Sequence, residues 1–213
     1  MGVALVLNKN LVAWKEAVTY VLVPSQAILV SVTWYKESII NVLAIHAPNR
    51  ESENASFWEL LKNMWLMNEY PNLDVLLGDF NCVEADIDCL PLNQNAPTAA
   101  RALEEYKSEI GVMDGWRQEN PQKLAYTWSD SSGRRLRLDR IYVTKDVLKC
   151  NHEWLIKKAA FTTDHSLVSV NFSNPSAPHI GRRRWSMPLF LLQDHKVMTR
   201  ICELGAELVE DIE

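Results

Sequence analysis

An aspartate and an asparagine stand two residues apart in Gly78 Asp79 Phe80 Asn81, directly after the apolar run Val75 Leu76 Leu77. Alternate side chains at the C-terminal edge of a strand point the same way, so a carboxylate and a carboxamide at this spacing can address one metal-bound phosphate. Three further segments carry groups of the same kind: His46 Ala47 Pro48 Asn49, Leu138 Asp139 Arg140 Ile141, and Thr163 Asp164 His165 Ser166. Together Asp79, Asp139 and Asp164, Asn49 and Asn81, and His165 form a set suited to phosphodiester hydrolysis. Carboxylates hold a hard divalent cation such as Mg²⁺ through oxygen, the cation neutralises phosphate charge, and carboxamides orient the phosphate or the attacking water. A histidine held by a carboxylate can act as a base or stabilise a charged transition state.

Each residue also has an ordinary structural reading. Asp79 and Asn81 can form an Asx-turn after a strand. Asp139 beside Arg140 can be a surface ion pair of little energetic worth. His165 and His46, taken singly, can be hydrogen-bonded structural histidines. Convergence distinguishes the readings, because Asn49, Asp79, Asn81, Asp164 and His165 fall at or near ends of predicted strands and Asp139 lies within one, which is how a sheet-based enzyme gathers a site from distant sequence.

The elements that must do this positioning are legible in outline. Val3 to Leu7, Thr19 to Val23, Ala27 to Trp34 and Ile39 to His46 are rich in β-branched and aromatic residues and are predicted strands. Phe57, Leu60, Leu61, Met64 and Trp65 recur at helical spacing after Ser52, a predicted N-cap, and the helix ends before Pro71. Leu73 to Leu77 is a short strand, and Thr98 caps a second helix over about Ala99 to Ile110, closed by Gly111. Ala125 to Ser129 and Leu136 to Val143 are predicted to form a hairpin with a polar tip at Asp130 Ser131 Ser132 Gly133 Arg134. Trp154 to Ile156 and Ser166 to Phe172 complete the strands, and Asn174 Pro175 Ser176 Ala177 Pro178 has linker composition.

With 213 residues and 47% hydrophobic content the chain can bury one substantial core, and its composition argues against wholesale disorder. No apolar stretch approaches the roughly 18 residues of a membrane span. Cys82, Cys89, Cys150 and Cys202 match neither a zinc knuckle nor a redox pair and are expected to be free thiols of a reducing compartment. A formal charge of -5 argues against coating nucleic acid by bulk electrostatics, but the arginines are clustered, at Arg134, Arg135, Arg137 and Arg140 and again at Arg182 to Arg184.

In this order the four segments resemble the endonuclease/exonuclease/phosphatase superfamily, which includes deoxyribonuclease I, apurinic endonucleases, inositol polyphosphate phosphatases and the nuclease domains of non-LTR retrotransposons. The resemblance runs from Gly2 to about Phe172. It implies an α/β fold of two stacked mixed β-sheets flanked by helices, a four-layer sandwich like that of deoxyribonuclease I. It also implies roles: Asp79 and Asn81 bind metal or the catalytic water and the phosphate, Asp139 orients His165, Asp164 is a metal or water ligand, and Asn49 contacts the phosphate. His46 stands where the family has a phosphate-contacting tyrosine.

The retrotransposon branch is the most similar. Gly78 to Pro91, Asp114 Gly115 Trp116 Arg117 and Asn120 Pro121 resemble its blocks, and Gly181 with Trp185 to Leu192 resembles its linker to a reverse transcriptase. Tyr126 Thr127 Trp128 and the following tip resemble its DNA-engaging loop, which implies stacking and phosphate contact by Trp128, Arg134, Arg135 and Arg137. The predicted organisation is a phosphoesterase-like domain over residues 1–173, a linker over 174–187 and a C-terminal helix over 188–213.

One departure bears on activity. Family members begin with a strand bearing a metal-site asparagine, followed by a helix and a strand ending in a glutamate ligand, and by this comparison the chain starts after both, lacking at least one βαβ unit of about 30 residues or more. The expectation is a retrotransposon-derived DNA endonuclease domain that binds Mg²⁺ or Mn²⁺ weakly and is catalytically impaired. The alternatives are a non-catalytic nucleic-acid-binding module and a phosphatase of small phosphoesters. Expected partners are DNA and, in a parent protein, a reverse-transcriptase domain, with no membrane and an intracellular location, nuclear or cytoplasmic.

Overall fold

The computed structural model describes residues 2–35, 37–68, 70–91, 97–159, 162–173, 195–200 and 203. The β-branched runs of the first half form a meander of β1 (Val18–Val23), β2 (Ala27–Tyr35) and β3 (Ser38–His46), after which α1 (Glu51–Met67) returns the chain to β4 (Val75–Asp79). The next elements are β5 (Cys89–Leu90), α2 (Pro97–Ile110), β6 (Val112–Asp114) and α3 (Gly115–Glu119). They are followed by β7 (Trp128–Ser129), β8 (Arg135–Leu136), β9 (Asp139–Thr144), α4 (Lys145–Leu148), β10 (Asn151–Lys158) and β11 (Ser166–Phe172).

The main sheet has the order β1-β2-β3-β4-β9-β6, and only β3 and β4 run parallel in it. That pairing requires a crossover, which α1 supplies. Leu29, Leu43, Ile45, Leu76 and Tyr142 face the helices and pack with Phe57, Trp58 and Leu61 of α1 and Leu103 and Tyr106 of α2. Val75, Ile141 and Val143 form a second core with Trp154, Ile156, Val168 and Val170 of the β10–β11 pair. The fold is therefore one of stacked, mixed sheets flanked by helices. A small sheet, β5-β8-β7, carries the hairpin.

The chain divides into two compact units, residues 1–177 and 178–213. In the second, residues 195–200 are helical. The linker over 174–187, the arginines at 182–184 and most of the helix predicted over 188–213 lie outside the described residues, as does Cys202. Cys82, Cys89 and Cys150 are free thiols.

Several predicted details differ. Val3 to Leu7 joins no strand; its side chains alternate between half-buried and exposed, but no ladder partner lies beside it among the described residues. Ser52 is not the cap of α1: the N-cap is Arg50, without a side-chain cap bond. Leu60 is exposed and Trp58 takes the buried place, stacked on Phe80 and Tyr106. The strand predicted over Leu136 to Val143 is two strands in different sheets, and the chain changes sheets at Arg137 and Leu138. Thr127, fully buried, stabilises that change: its Oγ1 accepts the N–H groups of Leu138 and Asp139, both at 2.9 Å.

A buried set of charges surrounds this crossing. The Nε and Nη2 atoms of Arg137 donate to the two oxygens of Asp88 at 2.7 and 2.9 Å, and Nη2 also donates to Asp114 at 2.6 Å. Arg117 donates to Asp88, and Glu84 accepts from Lys107 and the Tyr142 hydroxyl. Burial alone would raise the Asp88 carboxyl, but the hydrogen bonds and charge of Arg137, with Arg140 and Arg117, hold it below the usual carboxylate range. Arg137 and Arg140 are 2% and 1% exposed, so neither presents its guanidinium at the surface as the clustered arginines suggested. Both are internal counter-ions, because the acids that match them are Glu84 and Asp88 in the segment before β5 and Asp114 of β6.

Two substitutions test this framework. Removing one partner of a buried ion pair strands the other charge, so Arg137→Met lowers stability by about 3–5 kcal/mol, read from the urea midpoint. Gly78 has φ +139° and a Cβ there would lie 1.9 Å from the Ile45 carbonyl oxygen, so Gly78→Ala costs about 2 kcal/mol or more by the same measurement.

Candidate active site

Strand register sets the site. His46 of β3 is paired with Asp79 of β4, and Asp79 with Asp139 of β9, so the three polar residues form one row across neighbouring strands. Gly78 makes the row possible by letting β4 come against the Ile45 carbonyl. Beyond the row the chain turns away: Ala47 N donates to Asp79 O at 2.9 Å and Phe80 N to Leu138 O at 2.9 Å.

The Asx-turn reading of Gly78 Asp79 Phe80 Asn81 is realised, and it leaves a free oxygen. Asn81, at φ 48°, donates its backbone N–H to Asp79 Oδ1 at 3.0 Å. Asp79 Oδ2 instead faces His46 Nε2 at 4.0 Å. The Asn81 side chain donates to Ala47 O at 2.8 Å, tying the two loops together.

His165 arrives from the other side. Its backbone forms a β-bridge with Trp128, flanked by Ser166 N to Thr127 O at 2.6 Å and Ser129 N to Asp164 O at 3.1 Å. The ring places Nδ1 2.8 Å from Asp139 Oδ2. One ligand atom each from Asp79, Asp139 and His165 lies within 4.8 Å of the others.

The electrostatics fit a cation there. Burial, then the neighbouring charge of Asp139, push the Asp79 carboxyl up, against the pull of the Asn81 N–H and the two histidines. Two carboxylates held this close repel, and a divalent cation relieves that repulsion through the hard oxygen donors it prefers. Burial works to lower the pKa of His165, but the hydrogen bond and charge of Asp139, with Asp79 and Asp164, outweigh it and raise the imidazole above its ordinary value.

The remaining expected residues fall elsewhere. Asp164 is outside the cluster: its Oδ2 accepts the indole N–H of Trp128 at 2.8 Å, and that bond holds its carboxyl low. Asn49 is exposed at the entry to α1. Trp128 is half-buried, with the Arg134 guanidinium 5.7 Å from its ring centre, and Arg135 is exposed. Asp130 shapes the hairpin tip, its Oδ1 accepting from Ser132 N, Ser132 Oγ and Arg134 N.

Sequence reasoning missed the residue that joins the two site-bearing loops. Asn54, fully buried on α1, donates its Nδ2 to Pro48 O and to Phe80 O, both at 2.8 Å, and its Oδ1 accepts the Trp58 indole N–H at 2.6 Å. An asparagine three and four residues before Phe57 and Trp58, on the apolar face of a helix, is the signal that marks it.

Comparison with known proteins gives a consistent result. The endonuclease/exonuclease/phosphatase family matches residues 1–173. An uncharacterised 149 kDa protein of transposon TX1 from Xenopus laevis is 28% identical over 159 residues, which is 72% of this chain and 12% of that protein. Among solved structures, the endonuclease domain of TRAS1, a telomere-specific non-LTR retrotransposon, is similar with a TM-score of 0.57 at 16% identity, covering 75% of this chain and 69% of that one. A Neisseria 3′ phosphatase, NExo (D146N) bound to product DNA hairpin, has a TM-score of 0.56 at 22% identity, covering 70% of this chain and 65% of that one. These two likenesses bear on the fold, and the family match on the chain itself: it belongs to the endonuclease/exonuclease/phosphatase family.

Proposed function

We propose that this domain hydrolyses phosphodiester bonds of DNA with a divalent cation, as a nuclease of retrotransposon origin. The observation that carries the reading is the cluster of Asp79, Asp139 and His165, in which two partly buried carboxylates and an imidazole converge. The TX1 and TRAS1 likenesses support the retrotransposon origin, and the NExo structure bound to a DNA product supports the substrate class.

Asp79 and Asp139 would hold the cation, which when bound neutralises phosphate charge. Asp139 hydrogen-bonds His165 Nδ1, fixing the ring and leaving Nε2 to receive a proton from the attacking water. Asn49, exposed at the α1 entry, would contact the phosphate, while Trp128, Arg134 and Arg135 would meet the strand by stacking and phosphate contact. The indole N–H bond to Asp164 holds that platform beside His165. Two carboxylates are few for Mg²⁺, which completes its shell with water and substrate phosphates. The site would therefore retain metal weakly without substrate, and turnover would be slow.

Cleavage of supercoiled and abasic DNA with Mg²⁺ or Mn²⁺ tests this. His165→Ala and Asp79→Ala each lower the rate about 10²-fold or more. Salt-dependent DNA binding without cleavage would instead favour a binding module, and hydrolysis confined to small phosphoesters a phosphatase. The pH profile provides a second test. In the metal-free protein Asp139 stabilises the protonated ring, so His165 loses its proton above the ordinary imidazole range. Asp139→Asn moves that titration to lower pH, visible by NMR of the metal-free protein.

A further inference from the structure

We infer that Thr127 is a positioning residue for the proposed hydrolysis: its buried hydroxyl and its own carbonyl hold both members of the Asp139–His165 pair. The inference rests on the reading that His165 receives the proton of the attacking water. It adds the residue that keeps the ring aligned for that transfer.

Burial does not supply the alignment. The side chains of Asp139 and His165 are 22% and 34% exposed. Their backbones belong to different sheets, since Asp139 opens β9 in the main sheet and His165 immediately precedes β11 in the two-stranded one. β6 pairs with β9 only over Tyr142 to Thr144, so Asp139 lies beyond the end of that neighbour. Thr127 provides the acceptor instead: its hydroxyl oxygen takes the N–H groups of Leu138 and Asp139, both at 2.9 Å. On the other side the Thr127 carbonyl accepts the Ser166 N–H at 2.6 Å, one residue past His165.

These contacts close a ring. Thr127 Oγ1 meets Asp139 N, Asp139 Oδ2 meets His165 Nδ1 at 2.8 Å, and Ser166 N returns to Thr127 O. The threonine is itself well held: it is fully buried, its N–H donates to Leu136 O at 2.9 Å, and a β-branched side chain has few χ1 alternatives. Valine has the same shape but no acceptor, so it leaves two N–H groups unpaired at the start of β9, where such groups ordinarily find a partner. Asp139 then shifts relative to His165, and a small misplacement of this kind lowers the rate of the chemical step.

The place of the proton on the ring tests this without any requirement for activity. In the metal-free whole chain, at a pH where His165 is neutral, the Asp139 hydrogen bond keeps the proton on Nδ1, a state read from the imidazole ¹⁵N shifts. Thr127→Val is expected to move the ring toward the Nε2–H tautomer, and Thr127→Ser to preserve the Nδ1–H form. Thr144→Val, which removes a hydroxyl acceptor at the far end of β9, leaves the ring unchanged. Thr127→Ala gives the same direction of change as valine and serves if the valine variant does not fold. At saturating divalent cation, kcat for DNA cleavage falls about 10- to 100-fold in Thr127→Val while KM stays near that of the unmodified chain, and serine retains the rate. An Nδ1–H ring in both Thr127→Val and Thr127→Ala, or an equal tautomer shift in Thr144→Val, overturns the inference whether or not the chain cleaves DNA. A shifted tautomer with unchanged kcat also overturns it. No cleavage by the unmodified chain, with the tautomer responding as expected, overturns the hydrolytic reading and leaves Thr127 as the anchor of the pair.

Discussion

The candidate site depends on the register in which β4 lies between β3 and β9. A slip of one residue would turn Asp79 to the opposite face of the sheet, away from His46 and Asp139. Two features prevent it. Hydrophobic partners on both faces specify the pairing, with Leu76 packed toward the helices and Val75 toward the second sheet. Gly78, where a side chain cannot fit, then lets the backbones close at the end of the row. Asn54 reaches both loops that leave the row from one amide, so the edge that carries the candidate site is braced by α1 as well as by the sheet.

A second constraint brings His165 to that edge. The chain must leave the small hairpin sheet at Leu136 and enter the main sheet at Asp139. Thr127 and the Asp88, Arg137 and Asp114 ion pairs stabilise that crossing. Buried ion pairs are weak sources of net stability, because desolvation opposes the attraction. Their contribution here is positional: Arg137 is anchored to two acids from separate parts of the chain, and Asp139 follows two residues later. Trp128 links the same hairpin to the His165 segment through a β-bridge and through Asp164. Movement of the hairpin therefore alters the surroundings of the histidine.

Much of the scaffold was legible because the first half of the chain is written in β-branched alternation and the helices in apolar periodicity. Asp79 and His165 were legible because each stands at a strand end next to an apolar run, whereas Asp139 read as lying within a strand and is the first residue of β9. Arg137 and Arg140 were misread as surface charge. A run of arginines signals basic surface on average, and only the tertiary fold brings in Asp88, Asp114 and Glu84 to bury them. The family resemblance implies a metal or water ligand at Asp164, but here successive side chains diverge and its carboxylate reaches the Trp128 indole. Val3 to Leu7 has the pattern of a strand, yet a strand requires a hydrogen-bonding neighbour, and local sequence cannot supply one. Thr127 carries no local sign of its role, since accepting two N–H groups depends on a sheet crossing eleven and twelve residues away.

The central claim is that Asp79 and Asp139 belong to one cation site, joined by His165 on one side and flanked by His46 on the other. Crystals grown with Mn²⁺ and measured at the manganese absorption edge test it directly, because anomalous scattering locates the ion without reference to activity. The account predicts an anomalous peak within coordination distance of Asp79 Oδ2 and an Asp139 carboxylate oxygen. A peak elsewhere, or none with Mn²⁺ in excess, would contradict it.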